Sequence, residues 1–333
     1  MPSPALPSYL EPLSHGIFAI DTGFHRERFD AAYLVVQQGR AAFIDTGTAF
    51  AVPRLLGALQ ALGLERGAVD WVIPTHVHLD HAGGVGQLMR ELPQARALVH
   101  PRGVRHLLDP SVLWQGASAV YGAQEMARTY GELLPVPAER VRASTDGELV
   151  HLAERPLFIA HTPGHARHHH CIWDEATRGW FTGDTFGLSY REFDTDRGPW
   201  MVPTSTPVQF EPEVLEATVR RLLAREPKCM YVTHYGRVGE VPRLGALLLG
   251  QLTEPVALGR REQHRPGPER HAALRAGQLD IFCRSLAAHG CSLPREQVAD
   301  LLAMDLELNA QGLAIWLDRA ARNGRDSMQR EPP

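Results

Sequence analysis

The stretch THVHLDHAGG, residues 75–84, constrains this chain more than any other part of its sequence. It places three histidines and one aspartate within six residues, directly after the apolar run WVIP, which predicts a buried strand ending at a proline. In an extended segment His76 and His78 point to one side, whereas Asp80 and His81 fall where the chain turns into the next element. Because histidine is the commonest metal ligand, we interpret the stretch as ligands for two adjacent ions rather than as a histidine-rich turn.

Composition limits the classes of function. The chain has 333 residues, of which 44% are hydrophobic and 22% charged, which is ordinary for a globular protein of one large or two modest domains. A net charge of -4 gives no electrostatic reason to expect nucleic acid or a membrane as a partner. No apolar run approaches about 18 residues, residues 1–16 lack the features of a secretory leader, and the four cysteines include no CxxC pair. We therefore expect a cytoplasmic protein with a small-molecule substrate.

Strand and helix patterns alternate along most of the chain, which implies helices packed against sheets. Several apolar strand patterns end directly before a polar motif. His165 follows one such strand, and Asp184 and His234 each follow another, just as His76 does. One edge of the sheet assembly can therefore gather all four side chains. The predicted strands cover residues 17–20, 32–36, 41–44, 71–74, 97–100, 148–152, 157–160, 171–173, 180–182 and 229–233, and the predicted helices among them cover 50–62, 85–92 and 214–224.

Residues 102–140 interrupt this alternation. The segment contains Trp114, Met126 and Tyr130 with several glycines, and it is too long and too aromatic for a plain connector. Two interpretations stay open, a helical packing surface and a wall or lid that faces the substrate.

From about Val241 onward the pattern changes to helices only, over residues 244–252, 271–289 and 294–322. We therefore divide the chain into a catalytic domain, residues 1–240, and a C-terminal helical extension, residues 241–333. The apolar faces of the extension must be covered by the catalytic domain or by a second copy of the chain, so a homodimer is one expected assembly.

The candidate ligands are five imidazoles and two carboxylates. Two ions with three exclusive ligands each and one bridging carboxylate would use all seven and leave open positions for water and substrate, as catalytic sites do. Divalent ions in such a site activate water and polarise a substrate oxygen. A set of nitrogen and oxygen ligands admits zinc, iron or manganese, and we favour zinc. The candidates are His76, His78, Asp80, His81, His165, Asp184 and His234.

In these motifs the sequence resembles the metallo-β-lactamase superfamily. The resemblance covers about residues 15–240 and is carried, in family order, by FIDTG, THVHLDHAGG, HTPGHA, FTGDT and THYG. It implies the α/β class and a four-layer αββα sandwich with a dinuclear site at one edge. In the assignment that it implies, His76, His78 and His165 hold one metal, Asp80, His81 and His234 hold the other, and Asp184 bridges them.

The resemblance also suggests roles beyond the ligands. It implies that Asp45 of FIDTG lies near the metal loop without being a ligand, although a turn-forming aspartate after a strand explains this residue equally well. Tyr190 and Tyr235 are candidates for polarising the substrate, beside Asp80 as a catalytic carboxylate. The tract of residues 168–170, three histidines next to His165, is interpreted as surface or packing residues.

An aspartate at position 184, instead of the cysteine of true zinc β-lactamases, is similar to the glyoxalase II, lactonase and phosphodiesterase branches. The predicted function is therefore a hydrolase in which a metal-activated hydroxide attacks an ester-like bond, with thioesters and lactones favoured over phosphodiesters. Two other classes stay open. One is a mononuclear-iron persulfide dioxygenase that uses His76, His165 and Asp184, and the other is a binding or signalling protein with little turnover.

Overall fold

The computed structural model describes residues 6–328, so both ends of the predicted domains, residues 1–5 and 329–333, lie outside the described part of the chain. The strands are β1 (Leu10–Pro12), β2 (Ile17–Asp21), β3 (Ala31–Gln37), β4 (Arg40–Ile44), β5 (Val69–Ile73), β6 (Arg96–Val99), β7 (Val141–Ala143), β8 (Leu149–Leu152), β9 (Arg155–His161), β10 (His170–Asp174), β11 (Gly179–Gly183), β12 (Cys229–Val232) and β13 (Gly236–Val238). The helices are α1 (Val52–Ala61), α2 (Leu79–Ala82), α3 (Val85–Glu91), α4 (Val104–Leu108), α5 (Ser111–Tyr121), α6 (Ala123–Tyr130), α7 (Pro212–Leu223), α8 (Val241–Glu262), α9 (Gly267–His289), α10 (Arg295–Leu301) and α11 (Ala303–Met328).

The strands form two sheets. The first has the order β1-β2-β3-β4-β5-β6-β7, antiparallel up to β4 and parallel from β4 to β7. The second has the order β13-β12-β11-β10-β9-β8, in which β11 and β12 are parallel and the other pairs antiparallel. Apolar side chains from both sheets, including Tyr33, Ile159 and Phe181, form a buried core. The first sheet contributes a second core with helices α1 and α3, through residues such as Leu55 and Leu88.

The predicted α/β architecture is confirmed, and the differences are local. Strands β1, β7 and β13 were not expected, because three residues are too few to show an alternating pattern. The segment of residues 102–140 forms the helices α4, α5 and α6. The helix expected over residues 294–322 is two helices, α10 and α11, which meet at the buried Leu302.

The contacts divide the chain into two units. The first consists of the chain up to Thr162, His168–Asp184 and Glu226–Val241, and it contains both sheets. The second consists of Pro163–Arg167, Thr185–Arg225 and the chain from Pro242 onward. It therefore groups the predicted helical extension with two earlier segments, and the single boundary at residue 240 stays a prediction. None of the helices within residues 6–328 has the length and apolar composition that a membrane-spanning helix requires.

Within the second unit, the segment after Asp184 packs among the C-terminal helices. The indole Nε1 of Trp200 donates a hydrogen bond to Ser285 Oγ at 2.9 Å, and the Trp200 ring lies 6.0 Å from that of Phe282. The side-chain amide of Asn309 accepts from the backbone N–H of Ser205 at 2.6 Å. The predicted extension thus packs against the buried Trp200, which lies within the predicted catalytic domain.

A buried ion pair ties β9 to the end of β10 in the second sheet. Arg155 donates to both carboxylate oxygens of Asp174, at 2.7 Å each, and the side chains are 4% and 0% exposed. Thr177 Oγ1 donates a further hydrogen bond to Asp174 at 2.6 Å. Burial raises the pKa of Asp174, but the hydrogen bonds from Arg155 and Thr177 outweigh it and hold that pKa below its ordinary value.

We expect Asp174→Asn to lower the free energy of unfolding by about 3–5 kcal/mol at neutral pH, because it leaves the charge of Arg155 buried without its partner. Since the pKa of Asp174 is lower in the folded state, its contribution is complete above the ordinary aspartate pKa of about 4 and is lost as the pH falls through the folded value. Urea unfolding at several pH values should therefore show the two proteins converging in acid. Asp70→Asn, which removes a partly exposed partner of Arg40, should cost less than about 1 kcal/mol. Equal losses at both positions would contradict this prediction.

Candidate metal centre

Each candidate ligand lies at or just beyond the end of a strand. His76 and His78 follow β5, as the sequence predicted, and Asp80 and His81 lie in the short helix α2, where the sequence predicted only a turn into the next element. The remaining three come from separate parts of the chain: Asp184 follows β11, His234 follows β12 and His165 lies in the loop after β9.

The structure gathers these side chains into two groups. One ligand atom from each of His76, His78, His165 and Asp184 lies within 4.8 Å of the others, and the same is true of Asp80, His81 and His234. Asp184 links the groups, because its Oδ1 lies 3.2 Å from His81 Nε2 and 3.8 Å from His234 Nε2. All seven predicted residues are therefore brought together.

Hydrogen bonds at Nδ1 orient the histidine rings. Nδ1 of His81 donates to Asp45 Oδ2 at 2.8 Å, and Nδ1 of His234 donates to the carbonyl oxygen of Phe29 at 2.8 Å. Such bonds fix the tautomer, so that the lone pair of each ring is on Nε2. The buried Nε2 of His81 faces Asp184 Oδ1 at 3.2 Å. This set of converging nitrogen and carboxylate donors fits a divalent cation.

The Nδ1 atoms of the other three candidate histidines also have polar neighbours. His165 Nδ1 lies 2.8 Å from Thr204 Oγ1, and His76 Nδ1 lies 3.1 Å from Thr75 Oγ1. His78 differs, because its Nδ1 faces His76 Nε2 at 2.8 Å. His76 therefore offers Nε2 and His78 offers Nδ1 to the same point.

Asp45 accepts the hydrogen bonds that anchor residues 75–81, which we call the ligand loop. Its Oδ1 accepts from the backbone N–H of Thr75 at 2.6 Å, and its Oδ2 accepts from His81 at 2.8 Å and from Thr233 Oγ1 at 2.9 Å. Thr75 Oγ1, which contacts His76, also donates to Asp45 at 2.9 Å. Both interpretations of Asp45 agree with the structure, because its φ is 57° and its carboxylate contacts His81 directly and His76 through Thr75.

Residues 168–170 are all buried and pack around the ligand loop. The His169 ring stacks on His76 at 4.8 Å, and His168 lies 5.6 Å from His78. His170 Nε2 donates to the carbonyl oxygen of Pro74 at 2.9 Å. Their interpretation as packing histidines agrees with these contacts, while a surface position does not.

Gly183, at the end of β11 in the second sheet, lies close to Thr75 of the ligand loop. Its φ is +47°, and a Cβ at this position would lie 2.4 Å from Thr75 Oγ1 and 2.6 Å from His169 Nε2. A side chain here would displace the strand end that precedes Asp184, so this position requires glycine.

The carboxylates determine the charge of the site. Burial lowers the pKa of His234, but the hydrogen bond with Asp80 and the charges of Asp184, Asp30 and Asp80 outweigh it and raise the pKa to about 9. Burial also lowers the pKa of His81, and the charges of Asp184, Asp80 and Asp45 raise it well above its ordinary value. A negative field that holds protons on imidazoles also attracts a divalent cation, which must displace those protons to bind.

The two candidate tyrosines have other partners in the structure. The Tyr190 hydroxyl donates to Asp305 Oδ1 at 3.1 Å within the second unit, and the side chain is buried. Tyr235 belongs to the core between the two sheets, with the guanidinium of Arg28 lying 5.2 Å from its ring centroid. A catalytic role for either tyrosine stays a prediction.

Sequence reasoning missed two residues that orient ligands. Phe29 acts through its backbone carbonyl, for which the residue type gives no signal, and its ring lies 5.3 Å from that of His234. Thr204 lies 39 residues after His165, in a segment without a recognisable motif.

Sequence comparison finds relatives with thioesterase names. The chain is 29% identical over 182 residues to the acyl-coenzyme A thioesterase MBLAC2 of Bos taurus, a match that covers 52% of this chain and 64% of that protein. It is 29% identical over 117 residues to an atrochrysone carboxyl ACP thioesterase of Aspergillus fumigatus, which covers 35% of this chain and 27% of the fungal protein. The chain thus spans less than two thirds of the length of either thioesterase.

A solved structure shows the same fold. The metallo-β-lactamase superfamily protein ST1585 from Sulfolobus tokodaii superposes with a TM-score of 0.64 at 20% identity, over 91% of this chain and 99% of that one. The sequence model of the metallo-β-lactamase superfamily matches residues 25–234, which include all seven candidate ligands. The chain therefore belongs to the metallo-β-lactamase superfamily.

Proposed function

We propose that this protein is a dinuclear, zinc-dependent hydrolase of acyl thioesters. The observation that carries the proposal is the position of Asp184, whose Oδ1 lies between the two groups of candidate ligands. Two relatives with thioesterase names favour a thioester over the lactones and phosphodiesters that other branches of the family hydrolyse.

In the proposed assignment, His76, His78 and His165 would hold one ion and Asp80, His81 and His234 a second, with Asp184 available to both. When bound, such ions polarise the carbonyl oxygen of the substrate and make water nucleophilic at neutral pH. The protein's part is to hold the donors in place, which the hydrogen bonds at Nδ1 and the carboxylate of Asp45 accomplish.

We propose that the carboxylate of Asp80 lies on the side of the site that faces the substrate. Its side chain is 26% exposed, whereas that of Asp184 is 8% exposed. Its Oδ2 lies 3.4 Å from His234 Nε2. Asp80 is therefore placed to accept a proton from water or to pass one to a leaving group, in addition to its role as a ligand.

The test combines elemental analysis with a substrate panel. Protein prepared in zinc-supplemented medium should contain about two zinc ions per chain, and it should hydrolyse an acyl thioester with a kcat/KM of at least roughly 10⁴ M⁻¹ s⁻¹. Chelation should abolish this activity, and zinc should restore it. A fully loaded protein that hydrolyses lactones or phosphodiesters but no thioester would overturn the proposal, as would oxygen consumption with an iron-loaded protein and glutathione persulfide.

A further inference from the structure

The helices α4–α6 and the residues beside them form an open pocket that the metal centre does not explain. Its volume is about 750 Å³, and all its lining residues belong to the first unit. It lies in the segment of residues 102–140, for which the sequence left a packing surface and a substrate wall as alternatives. The apolar part of its lining comes from Phe50, Leu108, Pro110, Trp114, Leu133 and Pro135. We call this open pocket the α4–α6 pocket.

Hydrogen bonds hold the walls of the α4–α6 pocket in place. The backbone N–H of Val136 donates to the carbonyl oxygen of Leu107 at 2.8 Å, and Gln87 Nε2 donates to the carbonyl oxygen of Glu132 at 2.7 Å. Gly131, with a φ of +73°, lies so close to the next wall that a Cβ there would be 2.8 Å from Ala49 Cβ. The pocket is therefore formed by the fold before any ligand enters.

Contacts from Phe50 and from the end of α6 lead toward the second group of candidate ligands. Phe50 follows the loop in which the backbone N–H of Thr46 donates to the carbonyl oxygen of His81 at 2.8 Å. Tyr130, at the end of α6, lies 5.6 Å from Phe24, measured between ring centroids. Phe24 is 5.9 Å from Phe29, and Phe29 is 5.3 Å from His234.

A chain of ring contacts links α4 to the first group of candidate ligands. Leu108 lies two residues after His106 in α4. The His106 ring is 6.3 Å from His168, and the His168 ring is 5.6 Å from His78. Chains of ring contacts, which pass through intervening side chains, therefore connect α4 and α6 to candidate ligands of both groups.

The chemistry of the lining selects a neutral, apolar occupant. Its charged members are Asp109 and Glu132, and no basic side chain is present among the described residues that line it. An anionic group such as a phosphate would be repelled here. Phe50 is 58% exposed and Leu108 is 37% exposed, so large apolar side chains face solvent at the rim and would be covered by a hydrocarbon chain.

We infer that the α4–α6 pocket binds the acyl chain of the substrate, and that the preferred thioesters carry a medium or long hydrocarbon chain. This inference rests on the proposed function, because the metal centre must hold the thioester carbonyl while the pocket holds the chain. The charged carrier of the thioester then remains outside the pocket.

The kinetic test uses acetyl-, butyryl-, octanoyl- and dodecanoyl-coenzyme A with the zinc-loaded protein. Transfer of a methylene group from water to an apolar site predicts that kcat/KM rises roughly fourfold for each added methylene until the pocket is full.

Gln115, an exposed residue of α5 that lines the pocket, is replaced by tryptophan to fill it. In Gln115→Trp the ratio of kcat/KM for the dodecanoyl ester over the acetyl ester should fall at least tenfold. Gln124→Trp, the same change at an exposed position of α6 outside the lining, should leave this ratio as in the wild type.

A binding measurement separates this inference from the proposed function. Calorimetry with 1-decanol, a neutral alkyl chain without a scissile bond, should detect binding to the wild type and to Gln124→Trp, and at least tenfold weaker binding to Gln115→Trp. If thioesters are hydrolysed but neither chain length nor Gln115→Trp matters, the pocket assignment is wrong and the proposed function stands. If decanol binds as expected and no thioester is hydrolysed, the proposed function fails while the pocket retains its apolar ligand. Decanol binding that Gln115→Trp does not weaken would place the chain elsewhere.

Discussion

Replacement of Asp184 by alanine should remove bound metal and reduce thioester hydrolysis by more than the roughly 10–100-fold that changes to the outer partners of metal ligands cost. The reason is its position, since its Oδ1 lies 3.2 Å from His81 Nε2 while the residue also belongs to the group of His76 and His78. Without this carboxylate both ions lose a donor, and the imidazoles around it lose their neutralising charge. Elemental analysis and steady-state kinetics on the same preparation measure the two effects.

Asp184→Asn refines this prediction. Asparagine keeps an oxygen that can bind one ion, but it lacks the negative charge needed to share that oxygen between two cations. We therefore expect about one ion per chain and a loss of activity close to that of Asp184→Ala. Asp70→Ala, which removes a partly exposed carboxylate on β5, serves as the control and should retain both ions and full activity. Two tightly bound ions in Asp184→Asn would contradict the bridging assignment.

Asp45→Asn is expected to weaken metal binding roughly 10–100-fold although Asp45 is not a ligand. Its Oδ1 accepts from the backbone N–H of Thr75, which cannot become an acceptor, so the new amide nitrogen must replace Oδ2 and face His81 Nδ1. His81 then has to accept at Nδ1 and carry its proton on Nε2, the atom that should bind the metal. Asparagine tolerates the φ of 57° found here, so the turn itself should survive. Competition with a chromogenic chelator measures the affinity.

Thr233→Val provides the matched control for Asp45→Asn. It removes one hydrogen bond to Asp45 Oδ2 without reversing any donor, and should cost about 1 kcal/mol of stability with little change in zinc affinity. The activity of Asp45→Asn should recover toward that of the wild type as zinc is raised, because Asp45 positions a ligand and does not contact the substrate. An Asp45→Asn protein with wild-type zinc affinity would show that the tautomer of His81 does not depend on this carboxylate.

The clustering of the candidate ligands could be predicted from the sequence because they come from segments that follow strands, and strand ends meet at the edge of a sheet. The anchoring of these ligands could not be predicted in the same way. Asp45 binds Thr75, 30 residues away, and Thr233, 188 residues away, and such pairs arise only when distant segments come together. The carbonyl of Phe29 gives even less signal, since every residue has one.

The segment of residues 102–140 shows a second limit. Helices α5 and α6 are separated by Gly122, which has a φ of +86°, and α4 is only five residues long. Short helices broken by glycine give no sustained apolar period, so their boundaries were not predicted. The presence of Trp114 nevertheless indicated an apolar surface, and the structure places this residue on the wall of the α4–α6 pocket.

The candidate ligands come from both sheets. His76 and His81 follow β5 of the first sheet, whereas Asp184 and His234 follow β11 and β12 of the second. Under the proposed assignment, each ion is therefore a crosslink between the two halves of the sandwich, and metal affinity and sheet docking are one linked equilibrium. The supply of metal in the cell would then set how much of the protein stays folded, as well as how much of it is active.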